Sequence, residues 1–403
     1  MDLFLEKSSR QVSLLPPFKE GGEGTIHPII GDPGIVAKVF KQPSSKRAEK
    51  LRAMIDNPPV VTGNAPITLA WPVDRLLTRT GECVGYVMPY VKDKVSLFTV
   101  YNPGSRPERV DWPILLQTAK NICLAVSAFH RHGYVVGDIN ESNVLVGRDG
   151  SVAVVDTDSI QVGKFRCEVG KPEFTAPELI QSGKTFADID RYPHHDAFGL
   201  AVLIFHLLMD GNHPFSAHYE GTTGRESLTN RIAQGHWPYS LKRNGMYRPR
   251  REAPPLESLS PEIQRLMREA FEEGHRNPVC RPTADDWHVA LTKAEEEWNE
   301  IGTKLRHFYY RSLIGQAWGQ KVLDGFGWVR SKVPPLPRKV WVGTCCVLLI
   351  ALLMLGYFAL PRSPEGRGNH QVEEKIEKPE REVQGEETPW LWREAQRLNR
   401  MKK

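Results

Sequence analysis

The sequence predicts an α+β fold of two lobes, followed by a single membrane-spanning helix near its C-terminal end. Short apolar runs bounded by Gly, Pro and Asp fill residues 1–92, which is typical of strands. From residue 110 onward, apolar residues recur at helical spacing. Residues 340–360 carry no charge over 21 positions. As a helix, that run would be about 31 Å long, which matches the thickness of a bilayer core.

The composition is that of a globular protein of ordinary hydrophobicity and charge. The 403 residues leave room for two or three domains, and 40% hydrophobic and 25% charged residues are ordinary for a globular chain. The net charge of +5 is mild, so we expect no nucleic-acid partner. The six cysteines have neither the spacing of a zinc site nor a dense disulfide pattern, which indicates a reducing compartment.

The first lobe is predicted from strand-like runs and one helix. Gly22 and Gly24 lie in a tight glycine-rich loop. Residues 35–40 and 86–91 are apolar and strand-like, and the second run ends near a proline. Residues 44–55 predict a short helix, because a Pro-Ser-Ser entry precedes them and Asn-Pro-Pro follows them.

The second lobe is predicted from four helical segments. Residues 112–132 have apolar positions at helical spacing, and Gly133 follows as a C-terminal cap. Residues 198–209 are nearly all apolar, so we expect a buried helix there. Residues 261–271 and 283–298 are amphipathic. The order is therefore a strand-rich lobe followed by a helix-rich lobe.

The remaining chain is predicted to anchor this unit to a membrane. More basic residues precede the uncharged run than follow it, which places residues 1–339 in the cytoplasm and the tail outside. The charged tail is expected to be disordered. The predicted organisation is residues 1–92 for the first lobe, 93–300 for the second, 301–339 for a juxtamembrane connector, 340–360 for the membrane helix and 361–403 for the tail.

A lysine inside an apolar strand is the first candidate functional residue. Lys38 alternates with Val36 and Phe40, so it should point inward, where a lysine needs an anion. The alternative is an ordinary solvated strand lysine. Glu49 is the only acidic residue of the following predicted helix, and we expect it to pair with Lys38. The glycine loop precedes Lys38, and glycines let backbone N–H groups approach phosphates closely.

Two carboxylates and an amide form the second candidate set. Asp138 stands five positions before Asn143, and Asp156 follows Asn143 by 13 positions. Phosphoryl transfer needs one carboxylate for the attacking hydroxyl, with an amide oxygen and a second carboxylate for Mg²⁺. A turn rich in Asp and Asn between two strands is the alternative.

With Ala176-Pro177-Glu178, Asp196 and Arg281, these motifs resemble a eukaryotic-type (Hanks-type) serine/threonine protein kinase of bacterial, membrane-anchored build. The resemblance covers about residues 19–291, in a divergent subgroup with Asp-Thr-Asp in place of Asp-Phe-Gly. It implies a bilobal protein-kinase-like fold, with ATP and Mg²⁺, or Mn²⁺, as cofactors. It also implies a structural ion pair of Glu178 with Arg281, and support of the catalytic loop by Asp196.

The resemblance assigns roles to the candidate residues. Asp138 would take the substrate proton, and Lys38, fixed by Glu49, would align the phosphates. Asn143 and Asp156 would hold the metal. The nucleotide-binding set would be Gly22, Gly24, Lys38, Met88, Pro89 and Val91, the last three at the gatekeeper and hinge.

Three departures from the family pattern stand out. Val136-Gly137 replaces the His-Arg before the catalytic aspartate, so switching by a phosphate on that arginine is not expected. Asn140 replaces a lysine that touches the γ-phosphate, which removes one positive charge from the transfer step. Thr157 replaces the phenylalanine of Asp-Phe-Gly. The nucleotide and metal groups are retained, which favours slow activity over none.

The predicted function is transfer of phosphate to Ser/Thr hydroxyls of proteins, the chain itself included, by a membrane-anchored signalling kinase. One alternative is a nucleotide-binding pseudokinase scaffold. A second is a small-molecule phosphotransferase, in which Asp158 would be a further metal contact. The expected partners are ATP, protein substrates and the membrane. The tail is too short for a sizeable sensor domain, so regulation would come from a partner, lipid or homodimer formation.

Overall fold

The N-terminal lobe is built on a seven-stranded sheet. The elements of this part of the chain are β1 (Leu3–Leu5), β2 (Gln11–Val12), β3 (Lys19–Glu20), β4 (Gly24–Ile29), β5 (Asp32–Phe40), α1 (Ser45–Asp56), β6 (Ile67–Leu69), β7 (Asp74–Thr78) and β8 (Cys83–Pro89). Strand β6 belongs to a second sheet, described below. All strand pairs in the sheet are antiparallel, in the order β2-β1-β7-β8-β5-β4-β3. Helix α1 lies against β7 and β8. The structure is a computed structural model that describes residues 2–221, 224, 226–240 and 246–312.

The glycine loop joins β3 to β4, and Gly24 begins β4 for a packing reason. A Cβ added at Gly24 would lie 2.4 Å from the Val39 carbonyl oxygen on β5. Such an approach is excluded for any other residue, so Gly24 is needed for the close pairing of β4 with β5. The predicted glycine hairpin is therefore present, and it lies beside the strand that carries Lys38.

The C-terminal lobe contains most of the helices and a small second sheet. Its elements are β9 (Val95–Ser96), α2 (Leu97–Tyr101), α3 (Trp112–Arg131), β10 (Val144–Val146), β11 (Val152–Val154), α4 (Pro177–Gln181), α5 (Pro193–Leu208), β12 (Ala217–Tyr219), α6 (Leu228–Gln234), β13 (Tyr247–Pro249), α7 (Pro261–Arg268), α8 (Gly274–Arg276) and α9 (Ala284–Ser312). A π-helical turn, Glu269–Glu273, joins α7 to α8. The predicted helices at 112–132, 198–209, 261–271 and 283–298 are all present, but α5 begins five residues before its predicted start and α9 extends well past its predicted end.

Helices α3 and α5 form the centre of this lobe. Every residue from 195 to 208 in α5 is buried, which explains the nearly uninterrupted apolar run in the sequence. Asp111 caps the start of α3 by accepting a hydrogen bond from the Ile114 N–H. Gly133 follows its end with φ +72°, a left-handed conformation that glycine adopts at little cost.

A small four-stranded sheet places the candidate catalytic residues. Its order is β6-β11-β10-β9, with β6 and β11 parallel. The segment before β10, residues 137–143, is called the catalytic loop below. The chain leaves β11 and reaches Asp156 two residues later, at the start of the activation segment, residues 156–178. This sheet therefore brings both candidate acids to one end of a rigid element.

The bilobal α+β prediction is confirmed: a strand-rich lobe precedes a helical lobe. Helix α9 continues to Ser312, past the residue at which the second lobe was expected to close. Among the residues that the structure describes, no helix is long and apolar enough to cross a membrane. The predicted membrane helix at 340–360 and the tail at 361–403 lie outside the described residues.

Candidate active site

Lys38 is buried among three carboxylates. Its Nζ lies 2.6 Å from Asp156 Oδ1, 2.7 Å from Asp158 Oδ1 and 3.9 Å from Glu23 Oε2. The inward direction follows from the alternation on β5, where Val36 and Phe40 are buried with it. Burial alone would lower the pKa of Lys38, but the carboxylates of Asp158 and Asp156 raise it above its ordinary value. The lysine is therefore firmly charged.

The predicted ion pair of Lys38 with Glu49 is wrong in this structure. Glu49 lies on the exposed side of α1, and its carboxylate is 3.2 Å from Lys164 Nζ. The physical reason is the rotation of α1 about its axis, which buries Leu51 and Met54. Successive residues in a helix are about 100° apart, so Glu49 lies about 200° from Leu51, on the opposite side.

Lys50, the next residue on α1, is partly buried. Burial lowers the pKa of Lys50, and the charge of Asp158 acts in the opposite direction. Glu49 is the only acid of residues 44–55, but its place on the helical face directs it away from Lys38.

Asp156 and its neighbours form a tight turn after β11. Asp156 has φ +59°, which an aspartate tolerates better than most residues. Its side chain is 43% exposed, so it is held by Lys38 and still reaches the cleft. Thr157 is fully buried and donates a hydrogen bond to the Ala70 carbonyl at 2.7 Å. The threonine is therefore anchored by its hydroxyl at the position of the missing phenylalanine.

Asp138 and Asn143 contact each other across the catalytic loop. Asn143 Nδ2 donates to Asp138 Oδ2 and to the Asp138 carbonyl, both at 3.0 Å. Asp138 Oδ1 is buried and has no hydrogen-bond partner among the described residues. One carboxylate oxygen is thus fixed, and the other is a buried acceptor that has no partner among the described residues. Because its nitrogen is occupied by Asp138, Asn143 has its amide oxygen left for a metal.

Asn140 supports the loop and does not extend into the cleft. It is buried, its Nδ2 donates to the Asp138 carbonyl at 3.1 Å, and its Oδ1 accepts from the Ser142 N–H at 2.9 Å. The residue that replaces the family lysine has therefore become part of the backbone scaffold.

Helix α5 supports the catalytic loop through the side chain of Asp196, as the resemblance implies. The Asp196 carboxylate accepts hydrogen bonds from the Val136 and Gly137 N–H groups, both at 2.7 Å. His130 Nε2 lies 2.9 Å from the same carboxylate. Such charge-assisted bonds to backbone are among the stronger hydrogen bonds in proteins. They fix the chain directly before Asp138.

Arg191 makes a second anchor for this loop, which the sequence did not suggest. It is buried, and its guanidinium donates to the Gly137 carbonyl and, at 2.6 Å, to the Val169 carbonyl. It also lies over the Phe186 ring, 4.4 Å from the centroid. Gly137 has φ +74°, and a Cβ there would lie 2.7 Å from Cys167 Cβ. The loop therefore has no room for the family arginine at position 137.

A lysine of the activation segment contacts the catalytic loop. Lys171 Nζ lies 2.9 Å from Glu141 Oε1 and 2.6 Å from Ser142 Oγ. The loop thus receives a positive charge from another segment, close to the place where Asn140 lacks one. No spacing rule in the sequence pointed to this contact.

The candidate hinge residues lie at the end of β8. Met88 is buried and pairs with Val36, and Pro89 pairs with Ile35, both on β5. Val36 and Met88 belong to one apolar cluster against which Ile26, Val91 and Val155 pack. Apolar side chains of this kind, on the strands next to a buried lysine, are suited to contact a planar heterocycle.

The expected ion pair of Glu178 with Arg281 is present. Arg281 donates to both carboxylate oxygens, at 2.6 and 2.7 Å, and is itself buried. Burial alone would raise the pKa of Glu178, but Arg281 holds it below its ordinary value. The bidentate pair ties α4 to the segment before α9.

A model of the protein kinase domain matches residues 79–289, which are 211 of the 403 residues. The chain belongs to the protein kinase domain family. The match begins after β5, so Lys38 lies outside it while its partners Asp156 and Asp158 lie inside.

Curated relatives include two proteins named protein kinase YegI, from two strains of Escherichia coli. Each is 33% identical over 312 residues, which cover 74% of this chain and 47% of the relative. The chain therefore spans about half the length of these relatives. It is also similar to the serine/threonine-protein kinase akt-2 of Caenorhabditis elegans, at 33% identity over 105 residues, 25% of this chain and 19% of that protein.

Proposed function

We propose that this protein transfers phosphate from ATP to serine and threonine hydroxyls of proteins, itself included. The observation that carries the proposal is a set of four groups, in two contacting pairs, which the backbone hydrogen bond from the Val155 N–H to the Asn143 carbonyl links. They are the buried Lys38, the exposed edge of Asp156, the Asn143 amide and the unpartnered Oδ1 of Asp138. The serine/threonine preference rests on the resemblance and on the printed name of akt-2.

The donor set fits a magnesium nucleotide. Carboxylate and amide oxygens are the ligands that Mg²⁺ prefers, and Asp156 and Asn143 supply one of each. Mn²⁺ accepts the same ligands. When bound, the metal and ATP supply charge neutralisation and the phosphoryl group. The apolar cluster with Met88 and Val91, together with Pro89 at the end of β8, would hold the base.

The residues of the chain would then divide the work of the transfer step. Asp138 holds the substrate hydroxyl through Oδ1 and takes its proton. Lys38 binds phosphate oxygens through its ammonium group, whose pKa the neighbouring carboxylates raise despite burial. Asn140, turned into the loop, leaves the step with one fixed charge fewer, which favours a low turnover.

The direct test is phosphate transfer by the full chain with γ-³²P-labelled ATP and Mg²⁺ or Mn²⁺. We expect labelled protein, with the label on serine or threonine after acid hydrolysis. The label should be lost in Asp156→Ala, which removes a metal ligand. The matched control is Asp190→Asn, on an exposed carboxylate that pairs with Arg166.

The same test separates the alternatives. A wild-type chain that binds Mg-ATP but transfers no label would be the pseudokinase scaffold, which the inward turn of Asn140 favours. Label found only on an added small hydroxylated compound would indicate the small-molecule phosphotransferase. Against the latter, the Glu178–Arg281 pair belongs to the protein-substrate platform that the resemblance implies.

We also propose that residues 340–360 anchor the protein in a membrane, with the kinase domain in the cytoplasm and the tail outside. The support is the uncharged run of 21 residues and the basic bias before it. Protease added to sealed vesicles whose outer face is the external face of the membrane should then remove an epitope at the C-terminal end of the chain. It should spare an epitope at the N-terminal end. Formation of a homodimer stays a prediction from the sequence.

A further inference from the structure

Lys38 has a partner that is not on helix α1. We infer that Asp158 is the positioning residue for Lys38, in the place that the resemblance gives to the helix glutamate. The inference rests on the proposed function, and it assigns a role to a residue that the sequence could place only as a metal contact in an alternative reaction.

The contacts of Asp158 single it out from the other two carboxylates around Lys38. Its Oδ1 lies 2.7 Å from Lys38 Nζ and accepts a hydrogen bond from the Tyr86 hydroxyl at 2.8 Å. Its side chain is 6% exposed, against 43% for Asp156 and 39% for Glu23. A buried carboxylate persists only with close donors, and Asp158 has two on one oxygen.

Tyr86 ties this pair to the sheet. Tyr86 on β8 is directly opposite Lys38 on β5 in the strand register, and it is fully buried. Directly paired residues have neighbouring side chains on the same face of a sheet. The lysine, the tyrosine and the aspartate therefore form one unit, in which two strands and the turn after β11 hold the ammonium group.

The same contacts favour Asp158 as the partner of Lys38 over a role as metal ligand. Its Oδ1 contacts Lys38 and Tyr86, and its side chain is buried, although carboxylate oxygens of Glu23, Asp156 and Asp158 lie within 4.8 Å of one another. Asp156 has the exposure that a metal ligand needs. When Asp156 turns to a metal, Asp158 is the carboxylate that stays with Lys38.

Helix α1 cannot take over this role in the structure described. Glu49 is 61% exposed and pairs with Lys164. The carboxylates that contact Lys38 Nζ, those of Glu23, Asp156 and Asp158, all come from outside the helix. In consequence, Lys38 is held in place without any requirement that α1 move inward.

The test measures Mg-ATP binding and its Mg²⁺ dependence in the full chain. For Asp158→Asn, which keeps the size and an acceptor for both donors, we expect the dissociation constant of Mg-ATP to rise about tenfold. The Mg²⁺ concentration for half-maximal binding should stay unchanged. Asp156→Asn should raise that Mg²⁺ concentration instead. Glu49→Gln should change the dissociation constant less than about twofold.

A double-mutant cycle makes the test specific to the pair. In a Lys38→Met background, Asp158→Asn should weaken binding by less than about twofold, because the group that it positions is gone. Tyr86→Phe, which removes one donor and keeps the ring, should give a loss between those of Asp158→Asn and the wild type. Matching thermal unfolding midpoints would show that these variants are folded.

Three results would overturn the inference. They are an unchanged dissociation constant in Asp158→Asn, a raised Mg²⁺ requirement in that variant, or a loss in Glu49→Gln as large as in Asp158→Asn. Failure of the proposed function looks different: the wild type would bind Mg-ATP and transfer no label, while the binding measurements would still decide the role of Asp158.

Discussion

Asp138 uses one carboxylate oxygen to hold Asn143 and presents the other without a partner. That division is what a general base needs, because one contact fixes its direction and the free oxygen receives the proton. We therefore predict that Asp138→Asn lowers kcat by about 10²–10³-fold and leaves the KM for ATP within about threefold. Steady-state kinetics with a protein substrate would measure both.

Asn143 gives the contrasting result at the same place. Asn143→Ala removes a proposed metal ligand as well as the contact to Asp138, so the Mg²⁺ requirement should rise together with the loss of kcat. Equal kinetics in Asp138→Asn and the wild type would contradict the assignment of the base.

The position of Gly137 in the catalytic loop leaves no room for any residue other than glycine. Its φ is +74°, and a Cβ would meet Cys167 at 2.7 Å. We predict that Gly137→Ala lowers the free energy of unfolding by about 2–3 kcal/mol, from backbone strain plus the clash. Gly163→Ala is the matched control, since Gly163 has φ +52° and open space around it. Its loss should be about 1 kcal/mol. Urea denaturation measures both free energies of unfolding, and equal losses in the two variants would show that the contact with Cys167 does not matter.

At the scale of an element, α1 shows where reasoning from the sequence succeeds and where it stops. The bounds of the helix follow from Ser44, which caps it, and from the prolines after it. Its rotation depends on which side chains the sheet accepts. Leu51 and Met54, three residues apart, already marked the buried face, and Glu49 lies on the opposite one. The spacing of Leu51 and Met54 therefore predicts a solvent-facing Glu49, whereas the acid content of the helix alone predicts an ion pair.

The strand β5 gave the more reliable signal because a strand has only two faces. Alternation placed Lys38 inward, and the same rule on β8 places Tyr86 on the face of Met88. What alternation cannot supply is the partner across the cleft. Asp158 arrives from 120 positions further along the chain, and its position depends on the turn after β11.

The activation segment makes a contact of this long-range kind through Lys171. Its ammonium group lies 2.9 Å from Glu141 and 2.6 Å from the Ser142 hydroxyl, within the catalytic loop. We predict that Lys171→Met lowers kcat by about 3–10-fold with little change in the KM for ATP, because it removes a charge and loosens the loop. Lys184→Met, at an exposed position of the neighbouring segment, is the control. An unchanged kcat would mean that the contact serves packing alone.

At the scale of the whole molecule, the order of the lobes followed from periodicity, and the centre of the second lobe from one apolar run. Helix α5 is buried from residue 195 to its end, and it carries Asp196 to the catalytic loop. The sequence indicated both facts. It could not indicate Arg191, because a buried arginine is unusual and its partners are backbone carbonyls at distant positions.

Burial of histidines in that lobe predicts how stability depends on pH. Burial lowers the pKa of His206 to about 4, and burial with the neighbouring His206 lowers that of His213 to about 3. In the unfolded chain both should be near 6.5. Below about pH 6.5 the unfolded state therefore binds protons that the folded state does not, so stability falls with acidification. Between pH 7 and pH 5, each histidine should cost about 2 kcal/mol.

Urea denaturation at several pH values would measure this loss, and one variant isolates its source. His206→Asn keeps a donor for the Gly211 carbonyl, which His206 Nδ1 contacts at 3.0 Å, and cannot be protonated in this range. The free energy of unfolding of the variant should therefore fall less steeply from pH 7 to pH 5, by about one proton per molecule. His218→Asn, on an exposed residue, should leave the slope as in the wild type.

Carboxylates such as Glu178, whose pKa is lowered in the folded state, lose their contribution to stability only below about pH 4.5, so they do not affect the slope between pH 7 and pH 5. Parallel slopes for His206→Asn and the wild type would show that the buried histidines do not set the acid limit of the fold.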